Sequence, residues 1–82
     1  MAIVTPMEIA LTATAQRHAS RIGILEQVLA IRLPETCQAG DAVSLEIDGA
    51  VHEFSISRRA WRIRRADALL EITLDFPARP VR

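Results

Sequence analysis

The dipeptide Asp48-Gly49 stands between two runs of alternating apolar and polar residues, and it constrains this chain more than any other feature. Aspartate followed by glycine suits a two-residue turn with positive φ at both positions, the geometry that joins twisted antiparallel strands. Fixing that turn fixes a register. Ile47 opposes Ala50, Leu45 opposes His52 and Val43 opposes Phe54. Each inward residue then meets a neighbour on the same face, so turn chemistry and hydrophobic pattern agree.

The period of two continues downstream. His52, Phe54 and Ile56 are followed by Trp61 and Ile63, then by Leu70, Ile72, Leu74 and Phe76. A second reversal at Arg58-Arg59 sets Ile56 opposite Trp61 and Phe54 opposite Ile63. Two arginines make a poor two-residue turn, and a longer loop or a bulge serves there equally well. A third reversal near Ala66-Asp67 places Arg62 and Arg64 on one outer face with Glu71, Thr73 and Asp75. The stretch 42–76 thus reads as a four-stranded meander.

Upstream, Met7, Ile9, Leu11 and Ala13 alternate with Glu8, Thr12 and Thr14, which predicts a first strand. Residues 16–21 read as a turn or exposed crossover. Residues 22–33 admit two readings. Ser20 as a cap and Ile22, Leu25, Val28 or Leu29, and Arg32 at helical spacing favour a helix. Gly23 in its first turn and the branched Val28 and Ile31 oppose one. The reading adopted is a strand over 28–33 stopped by Pro34, with one short helical turn or a bulged extension near residues 20–27. Residues 34–41 form a loop, Ile3-Val4 add to a sheet edge, and residues 1–6 and 77–82 are flexible ends. The expected fold class is all-β, one domain spanning 1–82. Five or six strands form an antiparallel meander or a small barrel of SH3-like or OB-like size.

Composition narrows function more than fold. Half of the 82 residues are apolar, enough for one core. Ten arginines balance ten carboxylates and lysine is absent. Zero net charge weighs against a dedicated nucleic-acid or membrane-surface domain, and arginine without lysine fits a GC-rich, bacterial genome. The single Cys37 makes neither an internal disulfide nor a structural zinc site. No leader pattern and no run of about 18 apolar residues is present. The expectation is a reducing, cytoplasmic setting with no membrane contact and no cofactor.

The chemistry-bearing residues are few. Arg58, Arg59, Arg62, Arg64 and Arg65 surround Trp61 and form the one charge concentration. As a binding surface they would meet phosphates or an acidic protein. As a strand, the same residues send Trp61 into the core and pair Arg62 and Arg64 with Glu71 and Asp75. Arg58 and Arg59, at the expected turn, are the better contact candidates. His18 and His52 lack metal-ligand spacing, Cys37 lacks an activating neighbour, and Glu46 and Glu53 lie on an outer face away from any concavity. No glycine-rich phosphate loop exists, with glycines only at 23, 40 and 49. The sequence therefore points to a non-catalytic protein-interaction or structural module, self-association included. The alternative is a nucleic-acid-binding accessory domain using Arg58, Arg59, Arg62 and Arg64.

Overall fold

The computed structural model describes residues 6–77. The N-terminal expectation for Ile3-Val4 and most of the expected flexible ends lie outside that range. The elements are β1 (Met7–Leu11), α1 (Ala13–Arg21), α2 (Leu25–Leu29), β2 (Ala42–Ile47), β3 (Ala50–Arg64) and β4 (Asp67–Asp75). The strands form one sheet in the order β1-β4-β3-β2. β1 runs parallel to β4, and the other two pairs are antiparallel. The all-β expectation is therefore wrong in three respects: the sheet is mixed, it does not close into a barrel, and two helices form a packing layer.

α1 replaces what read as the end of the first strand and a turn, and α2 overlaps the stretch near residues 20–27 that read as one short helical turn or a bulged extension, running into the expected strand over 28–33. Thr12 is the cause at the first helix. Its backbone stays extended (φ −65°, ψ 163°) and its N–H donates to the Leu74 carbonyl at 3.0 Å, which ends β1. Its hydroxyl oxygen accepts from the Ala15 N–H at 3.2 Å, which starts α1 as an N-cap. The same hydroxyl donates to Asp75 at 2.7 Å. Ala15 and Ala19, four residues apart, are completely buried on the inner face of α1, and their small size lets the helix lie close to the sheet. Gly23, which argued against a helix, terminates one. At φ +76° its N–H reaches the Ser20 carbonyl while the Ile24 N–H reaches the Ala19 carbonyl, the paired closure that favours glycine after a helix. Ile24 then dives into the core, α2 follows with Val28 fully buried, and the expected strand over 28–33 does not form.

One continuous strand replaces two at the arginine pair. β3 runs through Arg58-Arg59 without reversing, with a register shift between Ile56 and Arg58 that leaves Ser57 unpaired. An extra residue on one strand bends it and switches which parity faces inward. Ahead of the bulge Phe54 and Ile56 face the core; beyond it Arg59, Trp61 and Ile63 lie on that same side, opposite Ile72, Leu70 and Ala68. The loop that follows α2 is strapped to the strand next to this bulge. The Gly40 N–H donates to the Ile56 carbonyl and the Ile56 N–H to the Asp41 carbonyl, at 2.8 and 2.9 Å.

The core lies between the helices and one face of the sheet, built on Phe54, Ile56, Leu70, Ile72, Leu74 and Val28. His18 on α1 lies flat on Phe76, with ring centroids 3.6 Å apart and planes 7° from parallel. Its Nε2 is shut off from solvent without a hydrogen-bond partner. Burial, then the nearby His52, then Arg21 push its pKa below the ordinary histidine range. A histidine depressed in the folded state keeps its stabilising contribution above its unfolded pKa of about 6.5. That contribution is lost as pH falls from there through the lower folded value. Denaturant unfolding at pH 7.5 and 5.5 should show a drop in stability on acidification, and His18→Phe, which keeps the stacked ring, should reduce that drop.

Candidate interaction surface on the β3–β4 arm

Beyond the bulge, β3 and β4 form a hairpin arm that outruns the helices. α1 and α2 pack on β1, β4 and each other. Trp61 and Ile63 sit on the core side of the sheet but past the end of that cover. Their side of the pleat is the one the sequence predicts, yet Trp61 is 45% exposed and Ile63 69% exposed. The expectation that Trp61 is a core anchor fails because burial needs an opposing layer as well as the correct pleat direction.

The arginines divide between the two faces. Arg59 shares the Trp61 face. Its guanidinium carbon lies 5.7 Å from the indole centroid, within cation–π range, and its Nη2 donates to the Glu35 carbonyl at 2.7 Å. Its Nε is shut off from solvent with no partner. Arg59 is thus a bracket between the arm and the 34–41 loop, and less free for a ligand than its expected turn position implied. Arg62 and Arg64 lie on the opposite face, which the register shares with Glu71, Thr73 and Asp75 as expected, and Arg58, expected in a turn, joins them there. Arg62 pairs with Glu71 at 3.1 Å. Arg58, Arg64 and Arg65 form no ion pair among the described residues. An open groove beside the tip is lined by Pro6, Glu8, Arg62, Arg64 and Leu69 among others.

Arg65 was the residue least visible in sequence. The arm turns at Arg65-Ala66, between the paired Arg64 and Asp67, with Arg65 at φ +56°. Glycine reaches this region without steric cost, and arginine does not. The turn that the pattern located near Ala66-Asp67 therefore projects a strained cation at the far end of the arm. Arg65→Gly should raise stability by about 0.5–1 kcal/mol, the usual relief at a left-handed position, measured by urea unfolding.

Cys37, the histidines and the carboxylates Glu46 and Glu53 are placed separately from the arm's arginines among the described residues. Cys37 is buried in its loop, with its backbone N–H bonded to the Pro34 carbonyl. His18 and His52 come within 6.2 Å, centroid to centroid, but no group of three potential metal ligands forms among the described residues. Glu46 and Glu53 lie on the helix-free face. No helix among the described residues is long and apolar enough to cross a membrane. Comparison of the chain with protein-family models, curated proteins and solved structures finds no match.

Proposed function

We propose that this chain is a non-catalytic protein-interaction module whose contact surface is the Trp61–Ile63 side of the β3–β4 arm. One observation carries the reading: a tryptophan and an isoleucine stand uncovered on the sheet face that elsewhere is core. Exposed aromatic and aliphatic side chains held on a rigid strand are the anchors that protein interfaces use, because they fill a partner's pocket at little entropic cost. The Arg59 bracket supports this by holding the indole in one place. The strained Arg65 at the tip supports it too, since backbone strain tends to persist where function requires it.

A second reading rests on a different observation. Arg58, Arg64 and Arg65 lack ion-pair partners among the described residues, so the arm would offer phosphate contacts together with an indole for base stacking. A single-stranded ligand neutralised by three arginines gives a slope of log affinity against log salt of about −2.

A photo-crosslinker in place of Ile63, and another in place of Arg17 on the far side of α1, separates the readings. The interaction reading expects a saturable protein adduct from position 63 alone. Unlabelled chain should compete it away, and the Trp61→Ala variant should not. Nucleic-acid adducts from position 63 would move the assignment to the second reading. Equal labelling from both positions would overturn both.

A further inference from the structure

Beyond the bulge, β3 is paired on one side only. β2 pairs with Ala50–Ser55, and the 34–41 loop is tied on at Ile56. Among the described residues, no strand pairs with Arg58–Arg64 on the side away from β4, and no loop N–H or carbonyl bonds there. The register says which backbone groups this leaves open. The Leu70 N–H donates to the Pro6 carbonyl, so Leu70 turns its backbone toward β1, and its cross-strand neighbour Trp61 turns its own away from β4. Arg59 and Ile63 follow by alternation, because the pairing runs without a further shift to Arg64. The N–H and C=O groups of Arg59, Trp61 and Ile63 therefore point out of the sheet along one edge. Trp61, Arg62, Ile63 and Arg64 are all exposed.

We propose, resting on the Trp61 reading above, that the partner is an extended protein segment that adds to this edge as a fifth strand and alternates apolar with acidic residues. In strand addition the backbone bonds give affinity and the alternate side chains give specificity. On the core side the guest lies beside Arg59, Trp61 and Ile63, where apolar side chains supply the cover that Trp61 and Ile63 lack. On the helix-free side it lies beside Arg58, Ala60, Arg62 and Arg64. Asp67 and Glu71 share that side, but they stand one strand further in, and Arg62 holds Glu71. Arg58 and Arg64 form no ion pair among the described residues. The row nearest the guest is thus cationic, and carboxylates are its match. The same row disfavours a second copy edge to edge, since antiparallel pairing of two such edges sets arginine beside arginine. At about 3.3 Å per residue, Arg58–Arg64 offers an edge about 23 Å long, room for a strand of ordinary length.

Hydrogen exchange read by NMR on the full chain tests this, with acetylated and amidated Glu-Val-Glu-Val-Glu-Val-Glu as the probe. In the free chain the amides of Arg59, Trp61 and Ile63 should exchange fast, and those of Ala60 and Arg62, bonded to β4, slowly. At nine-tenths saturation with the peptide the first three should slow about tenfold, because only the unbound tenth exchanges. Added salt should weaken binding, and Lys-Val-Lys-Val-Lys-Val-Lys should not bind. Arg58→Glu with Arg64→Glu should reverse that preference, which also shows that the variant is folded. N-methylation of the valines removes the donors of an antiparallel guest, and N-methylation of the glutamates those of a parallel one. At least one of these two analogues should fail to bind. If both bind as tightly as the parent, backbone pairing is not what holds the peptide and the proposal fails. It fails too if the peptide does not bind at millimolar concentration and low salt, or if the three amides already exchange slowly in the free chain. In that last case, dependence on chain concentration assigns the edge to a second copy, and independence to another segment of this chain. A saturable protein adduct from position 63 without peptide binding leaves the Trp61 surface standing and removes only the added strand. Loss of both removes the surface as well.

Discussion

Phe54→Ala should leave this chain largely unfolded at room temperature. Phe54 has no exposed surface and belongs to the longest strand, where it opposes Val43. Its ring meets His18 edge-on at 6.3 Å and Phe76 at 5.5 Å, so it joins α1, β3 and the end of β4 in one aromatic contact. Truncating a buried phenylalanine costs about 3–5 kcal/mol, through lost burial and the cavity left behind. A domain of this size has total stability near the lower end of about 5–15 kcal/mol, so the loss consumes most of it. Urea unfolding followed by circular dichroism should show a midpoint collapsing toward zero denaturant. Phe54→Leu, which keeps most of the apolar volume, should retain a cooperative transition.

Thr73→Pro should be nearly as damaging, for a reason that concerns topology. β4 is an interior strand, paired with β1 on one side and β3 on the other, so proline there removes a ladder hydrogen bond between two strands. The expected cost is about 3 kcal/mol or more. Ser44→Pro is the contrasting substitution. β2 is the sheet edge beyond β3, and its pairing starts from a turn in which both Asp48 and Gly49 have positive φ. In that geometry Ile47 and Ala50 form a hydrogen-bonded pair, so the alternation leaves the Ser44 N–H pointing outward. Ser44→Pro should therefore cost clearly less than Thr73→Pro in parallel unfolding curves. Equal costs would place β4 at an edge and contradict the strand order.

How much of this was legible follows from the range of each interaction. The β2–β3 hairpin was readable residue by residue because its turn is encoded by adjacent residues. Ile47 opposite Ala50, Leu45 opposite His52 and Val43 opposite Phe54 all occur in the structure. The shared outer face of Arg62, Arg64, Glu71 and Thr73 was readable for the same reason. The helices were not. In Thr12-Ala13-Thr14-Ala15 a period of two imitates a strand, while the residue that starts the helix is a threonine whose hydroxyl is also tied to Asp75, 63 positions away. Gly23 looked like a helix breaker inside the expected element and is a terminator at its end. The parallel pairing of β1 with β4 joins Met7 to Leu70, a partnership no local pattern announces.

At the candidate surface the limit was of another kind. Alternation predicts which way Trp61 and Ile63 point, and they do share the pleat side of Leu70 and Ile72. Whether that side is covered depends on the lengths of α1 and α2, and these residues were read as a strand end, a turn, one short helical turn or bulged extension near 20–27, and a strand over 28–33. Arg59 shows the same gap, since its partner is the carbonyl of Glu35, 24 positions upstream in a loop without periodicity. A bulge was expected at the arginine pair only as a form of the reversal; the strand instead continues through Ser57, which turns an expected core strand into a projecting arm.

The account stands or falls on that arm. β3 must continue through Ser57 and carry Trp61 past the bulge, where its ring lies on the core side of the sheet and is 45% exposed. Trp61 is the sole tryptophan, so its fluorescence reports on this point alone. The folded chain should show an emission maximum close to that of the urea-unfolded chain, with acrylamide quenching not far below it. A strongly blue-shifted emission that acrylamide scarcely quenches in the monomer would place Trp61 in the core and contradict the arm.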